Sequence, residues 1–374
     1  MKVDLVNLKR QHEEIKTEVE KAIAKVIENT SFILGEDVTL FEKEFAAYCG
    51  TKYAIGVDNG TSALELSLLA LNVGRGDKVL VPAFTFIATA TAVCYTGATP
   101  VFVDVEEGTG NINAGLIEAY LKKDKTIKAI LPVHIYGNAS NMDEILKIAG
   151  KYNVKVVEDA CQAHGTLYKN TAGSWVKAGS MGETGCFSFY PAKNLGAYGD
   201  GGMVTTNNEE LYKKIRLLRD CGRSEKYLHN IIGFTKRLDT IQAAVLRIKL
   251  KQLDKYNENR RNNVKMYKDA IKAPEVSYLS NESYSVPIYH QFIIKVSNRD
   301  GLMQHLSKNE IGAGIHYPIP LHLQPAFNFL GYKKGDLPVS EKLAENVLSL
   351  PNFPELKKEE ILFIAENINT FYKK

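Results

Sequence analysis

The chain reads as an α/β protein: a mainly parallel seven-stranded sheet covered by helices, then a smaller α+β unit. Three observations point there. Short runs rich in Val, Ile and Leu recur between residues 52 and 206, with helical stretches between them. Most of those runs are apolar throughout instead of alternating, which marks strands buried on both faces. Beyond Leu238 this rhythm gives way to a long amphipathic stretch and a Pro-punctuated segment.

The elements follow in order. Residues 9–29 carry Ile15, Val19, Ala22, Ile23, Val26 and Ile27 at helical spacing, which predicts an amphipathic helix. The seven strands are predicted at 52–57, 78–82, 101–105, 129–135, 154–158, 185–190 and 202–206. Helices are predicted at 62–71, 87–95 and 142–152. Leu238, Ile241, Val245, Ile248 and Leu253 share one face of a long helix that leads into the smaller domain. That domain holds a strand over 289–296, a helix over 300–308 and the stretch 317–325. The expected division is 1–250 for the large domain and 251–374 for the small one. Neither internal repeats nor low-complexity segments interrupt the chain.

Bulk properties exclude several classes. A chain of 374 residues with 45% hydrophobic and 24% charged residues can bury a large core. A net charge of +4, with lysines spread along the chain, gives no footprint for nucleic acid. The five cysteines are far apart and form no Cys-x-x-Cys pair, and the eight histidines lack metal-ligand spacing. No disulfide framework and no metal site are therefore expected, and a reducing cytoplasm is the expected compartment. Met1-Lys2-Val3-Asp4 opens no signal-type apolar run, and no membrane-spanning segment is expected.

Four segments carry chemistry. Lys193 stands in Phe187-Ser188-Phe189-Tyr190-Pro191-Ala192-Lys193-Asn194-Leu195-Gly196, with further glycines at 199, 201 and 202. An apolar strand ended by Pro191 and followed by a glycine-rich turn would hold one amine in place, where a carbonyl cofactor can form a Schiff base with it. Taken alone, a lysine is more commonly a solvated charge. Asn59-Gly60-Thr61-Ser62 follows a strand and opens a helix, which suits a phosphate. A plain cap by Thr61 or Ser62 is the competing reading. Asp159, at the exit of the fifth strand, needs a partner if buried, and a protonated pyridine nitrogen is one. Gln162 would lie by that ring's hydroxyl; a cap for the next helix is the alternative for Asp159. Phe86 can stack on a cofactor face or simply pack in the core.

Together these segments give the chain its resemblance to the sugar aminotransferases of the DegT/DnrJ/EryC1/StrS family, which share the fold type I architecture of the aspartate aminotransferases. The resemblance spans nearly the whole chain. It includes Ile33-Leu34-Gly35, Asn59-Gly60-Thr61, Thr85-Phe86-Ile87-Ala88-Thr89 and Pro132-Val133-His134-Ile135-Tyr136-Gly137. Further along it includes Glu158-Asp159-Ala160 with Gln162, Ser188 with Lys193, Arg237-Leu238-Asp239 and His316-Tyr317-Pro318-Ile319-Pro320. It implies pyridoxal 5'-phosphate as cofactor and Lys193 as its covalent anchor and acid–base group. Asp159 would pair with the pyridine nitrogen, Gln162 would lie by the ring oxygen and Phe86 would stack on the ring. Gly60, Thr61 and Ser188 would hold the phosphate.

The resemblance also implies a homodimer with shared active sites. Where the family commonly sends an asparagine to the partner's cofactor phosphate, this chain has Thr235, whose hydroxyl donates but reaches less far. The lysine at 193, where dehydrating relatives carry histidine, implies transamination. Glutamate is the implied donor, and C-3 of a dTDP-3-keto-6-deoxyhexose the implied acceptor, with the glucose configuration ahead of the galactose epimer. Tyr190, His316 and Tyr317 are the expected substrate contacts, with Lys236 and Arg237 supplied by the other subunit. Lysine and arginine suit a diphosphate, although an exposed basic pair before a helix has the same sequence. His316 as a satisfied core histidine, and Tyr317 as a loop former, are the plain alternatives. The rival functions are another keto-sugar acceptor (C-4 keto, or a UDP-linked 3-keto uronic acid) and a non-catalytic regulator that binds the cofactor or a nucleotide sugar.

Overall fold

The computed structural model describes residues 1–373. The central sheet has seven strands: β1 (Tyr53–Val57), β2 (Lys78–Pro82), β3 (Thr99–Val103), β4 (Ile127–Ile130), β5 (Lys155–Asp159), β6 (Thr184–Ser188) and β7 (Gly202–Thr206). Their order across the sheet is β1-β7-β6-β5-β4-β2-β3. Six strands run the same way, and β7 runs against both its neighbours. The reversal has a simple cause. A parallel return needs a long crossover, usually a helix. The segment between β6 and β7 carries none; it is the Lys193 turn.

Helices flank the sheet: α1 (Leu8–Glu28), α2 (Glu36–Cys49), α3 (Gly60–Ala70) and α4 (Ala88–Tyr95) come first. The helix α3 is buried along almost its whole length, so its low amphipathicity is expected for a helix inside the fold. The single long helix expected from Leu238 onward is two helices, α5 (Thr240–Leu250) and α6 (Leu253–Ala270). No glycine or proline marks the break, so the sequence did not announce it. Leu238 itself precedes α5 and packs beneath Gly56 and Gly201. We propose that the domain division falls at this break. Residues at the N-terminus reach across it: Val3 bridges to Ile311, and Arg10 pairs with Glu360 at 2.6 Å.

Two expected strands are shorter. The run 129–135 stays in the ladder only to Ile130, because Pro132 has no N–H and Tyr136 adopts a left-handed φ of 57°. The small-domain strand expected over 289–296 is β8 (Phe292–Lys295), paired with β9 (Val347–Leu350). The helix Arg299–Lys308 lies where it was expected.

The exit of β5 shows how strand alternation sorts two neighbouring carboxylates. Glu158 and Asp159 point to opposite faces. Glu158 is fully buried and accepts from the backbone N–H groups of Gly179, Met181 and Gly182 at 2.7–2.8 Å. His134 Nε2 lies 2.9 Å from it, and Ser140 N donates to His134 Nδ1, so Nε2 carries the proton and donates. This carboxylate is structural. Glu158→Ala should lower the unfolding free energy by about 3–5 kcal/mol, because four buried donors lose their acceptor. Urea denaturation of the purified variant measures it.

Candidate active site

A cavity of about 770 Å³ opens at the carboxyl ends of the parallel strands, where such sheets take their ligands. Its floor is Asp159, 4% exposed, at the end of β5. Thr89 Oγ1 donates to Asp159 Oδ2 at 2.8 Å, and Cys161 N donates to Oδ1 at 3.1 Å. Both donors are neutral, and among the described residues no ion pair includes Asp159. The N–H of Cys161, two residues on, starts no helix, so the capping alternative fails. A buried anion without a cation is what a protonated pyridine nitrogen would complete.

Lys193 faces the same cavity. Its backbone N–H donates to Tyr190 O at 2.8 Å, closing the turn after Pro191. Burial pushes the amine below the ordinary lysine range; Cys161 and Asp159 push the other way. A lysine displaced in this direction is neutral, and so nucleophilic, over a wider pH range.

One end of the cavity is built by α3. Asn59 caps the helix, its side chain accepting from Ser62 N at 2.8 Å. Neither Thr61 nor Ser62 is the cap, as the plain reading had it. The first N–H groups of a helix have no partner within it, so those of Gly60 and Thr61 remain for an anion. Position 60 must be glycine: a Cβ there would lie 2.7 Å from Ser188 Cβ and 2.8 Å from Cys161 Sγ. Ser188 Oγ lies across this gap, accepting from Tyr190 N at 3.3 Å and keeping its own proton free to donate.

The ring site has two sides. Phe86 is 53% exposed and lines the cavity, so it is not a core residue. Its ring centroid is 5.9 Å from that of Tyr317. Gln162 is held by both ends: Tyr136 N donates to Oε1 at 2.7 Å, and Nε2 donates to Tyr317 Oη at 3.1 Å. Tyr136 Oη donates to the His316 carbonyl. Tyr317 thus does more than shape a loop. His316 is half-buried in the cavity wall with Nδ1 2.8 Å from Ser349 Oγ. Burial and then Lys193 push its imidazole downward. Tyr190 is 57% exposed at the mouth.

Of the expected residues, Thr235 and Arg237 do not line this chain's cavity. Thr235 Oγ1 lies 3.3 Å from Cys221 Sγ, and Arg237 pairs with Asp220 at 3.0 Å. Lys236 does line it, paired there with the buried carboxylate of Glu65. The sequence reading missed Thr89, Glu65 and His290. Thr89 was findable, because it stands three residues after Phe86 at the start of α4 and so shares its face. Glu65 and His290 left no local signal; each meets the cavity only through tertiary packing.

The family model of the DegT/DnrJ/EryC1/StrS aminotransferase family matches residues 13–369. The chain belongs to that family. It is 42% identical over 377 residues to the pleiotropic regulatory protein of Geobacillus stearothermophilus, with 100% of this chain and 99% of the relative covered. It is 40% identical over 368 residues to the dTDP-3-amino-3,4,6-trideoxy-alpha-D-glucose transaminase of Streptomyces venezuelae, covering 98% and 95%. The solved structure of S. venezuelae DesV in complex with a ketimine intermediate superposes with a TM-score of 0.96 at 38% identity, covering 100% and 99%. The expected fold and the expected enzyme class, a pyridoxal-phosphate-dependent aminotransferase, are upheld. Among the described residues no helix is long and apolar enough to cross a membrane.

The residues present fit the cofactor: a buried carboxylate with no ion-pair partner among the described residues, a partly buried amine and a glycine-opened helix N-terminus surround one space. A pH test follows. Schiff-base formation between the apoenzyme and added pyridoxal phosphate should reach half its maximal rate below the ordinary lysine range. Asp159→Asn removes an anion that favours the charged amine, so the half-point should move further down. Stopped-flow absorbance across pH measures both.

Proposed function

We propose that this chain transfers the amino group of glutamate to C-3 of a dTDP-linked 3-keto-6-deoxyhexose, giving the 3-amino-3,6-dideoxy sugar, with the glucose configuration favoured. The observation that carries the reading is the convergence of Lys193, Asp159 and the α3 N-terminus on one cavity large enough for cofactor and sugar together. The relationship to a dTDP-sugar transaminase across nearly the full chain supports the substrate class.

Pyridoxal phosphate, when bound, supplies the electrophilic carbon and an electron-accepting ring. The chain's own residues do the rest. Asp159 holds a proton on the ring nitrogen. Lys193 Nζ takes the proton from the donor's α-carbon and later returns one to C-3 of the acceptor, a base role that its lowered basicity favours. Gly60, Thr61 and Ser188 hold the phosphate, and Gln162 and Phe86 fix the ring plane. Tyr190, His316 and Tyr317 face the sugar. Lys236 and Arg237 are already paired with Glu65 and Asp220, so a diphosphate would have to share them.

We place the enzyme as a homodimer in the cytoplasm. The arm between Cys221 and Thr235 supports the dimer: Tyr227, Leu228 and Ile232 are 85%, 52% and 93% exposed there, which suits a subunit contact. A second reading, a regulator that binds without turnover, is favoured by the name of the Geobacillus relative. The intact Lys193, Asp159 and Ser188 set supports catalysis instead.

Two experiments decide. Borohydride reduction of the yellow protein should label the peptide that contains Lys193, and Lys193→Ala should abolish transamination with the circular dichroism spectrum intact. Incubation with glutamate and a panel of nucleotide-linked keto-sugars, read by mass spectrometry, should give most product with dTDP-3-keto-6-deoxyglucose. Bleaching by glutamate without conversion of any keto-sugar would favour the regulator.

A further inference from the structure

Behind Lys193 runs a hydrogen-bond chain whose direction is determined at every step. It starts at the backbone oxygen of His164, which can only accept. Asn257 Nδ2 donates to it at 2.8 Å, so Asn257 turns its Oδ1 the other way. Asn194 Nδ2 donates to that Oδ1 at 2.8 Å and to the Ile288 carbonyl at 3.3 Å. Asn194 Oδ1 is therefore the atom that faces His290 Nδ1, at 3.2 Å, and Nδ1 must carry the proton. A neutral imidazole protonated at Nδ1 has a bare lone pair at Nε2.

His290 is held where it cannot turn away. Its N–H donates to Tyr136 O at 2.8 Å, and its carbonyl accepts from Arg260 at 3.4 Å. The residue before it, Tyr289, adopts φ +47°, a left-handed conformation costly for a bulky side chain. Such outliers gather at sites where geometry matters more than local strain. The buried imidazole lines the same cavity as Lys193, and its Nδ1 partner, Asn194, is the next residue in the chain after Lys193. Burial first, and then Lys193 and Arg260, keep it neutral.

We propose that His290 is a specificity-determining residue whose Nε2 accepts a hydrogen bond from a hydroxyl flanking the carbonyl of the sugar substrate. The inference rests on the sugar reading given above. Lys193 must reach the reacting carbon, and His290 shares its cavity and binds its sequence neighbour Asn194, so a lone pair on that wall is offered to what is attached next to that carbon. The amino donor is a poorer occupant: its nitrogen has to shed ammonium protons to react, whereas a ring hydroxyl keeps its proton throughout. An orphaned acceptor in a buried pocket penalises an acceptor sugar that lacks the hydroxyl.

The test is a cycle on the holoenzyme. His290→Asn keeps a donor at the δ position for Asn194 and removes the ε acceptor. The wild type and this variant are assayed with the full keto-sugar and with analogues lacking the C-2 or the C-4 hydroxyl. We expect kcat/KM to fall about tenfold or more when His290 is replaced, and similarly when one of the two hydroxyls is removed from the wild type's substrate. Removing both partners should cost no more than removing either. His290→Gln, which restores an acceptor at the ε position, should recover part of the discrimination, and it serves the cycle if the asparagine variant does not fold. Strictly additive losses for both hydroxyls would overturn the proposal, as would equal losses on all three sugars in both variants. If the wild type aminates no nucleotide-linked sugar, the functional reading fails separately. The same cycle then applies to whichever hydroxylated keto acceptor it does turn over.

Discussion

One uncompensated charge organises this molecule. Asp159 ends a central strand almost without solvent, and its neighbours offer it only a threonine hydroxyl and a backbone N–H. A carboxylate in that position is costly unless a cation arrives. The neighbouring Glu158 shows the contrast: one residue earlier, pointing the other way, it is satisfied by three backbone N–H groups and His134. The same strand thus supplies a support for the sheet and a buried carboxylate facing the cavity, which fits a positively charged ring nitrogen. Lys193 and the N-terminus of α3 line the same cavity.

Pre-organisation comes from the backbone as much as from side chains. The reversal of β7 places the Lys193 turn across the sheet's carboxyl edge, between α3 and the small domain. Close packing at Gly60 brings Ser188 and the α3 N-terminus together at one edge of the cavity, an arrangement that suits an anion. Gln162 donates to Tyr317, and Tyr136 donates both to Gln162 and to the carbonyl of His316, the residue before Tyr317. The small domain contributes His290 and His316, which are tied through Nδ1 to Asn194 and Ser349 respectively. Both domains therefore bear on the position of the reacting groups, and a shift of the small domain would be felt at Lys193 through Asn194.

Much of the site was legible along the chain because the parts lie at strand exits, and exits can be read from where an apolar run stops. Lys193, Asp159, Gln162 and Gly60 were singled out in this way and Ser188 through the family resemblance, and all of them line one cavity. Phe86 was open between stacking and core; its exposure settles it against the core. The cap at α3 went to Asn59 instead of Thr61 or Ser62, a shift of two or three residues that decides which N–H groups stay free. His290 escaped notice because nothing in Ile288-Tyr289-His290-Gln291 distinguishes a cavity wall from an ordinary strand entry. Glu65 left no mark in the sequence, and its place on the cavity follows from the burial of α3 nearly throughout.

By itself the sequence determined the α/β class, the number of central strands and, through its ordered motifs, the enzyme class. Those depend on local patterns: unbroken apolar runs, a proline that stops a strand, glycines that allow close approach. The tertiary structure alone decided the direction of β7, the break between α5 and α6, and the partners of Lys236 and Arg237. It also decided the tautomer of His290, which follows from a hydrogen-bond chain through residues 164, 257, 194 and 290. Such properties depend on which distant groups meet in space, and no local window of sequence contains both members of the pair.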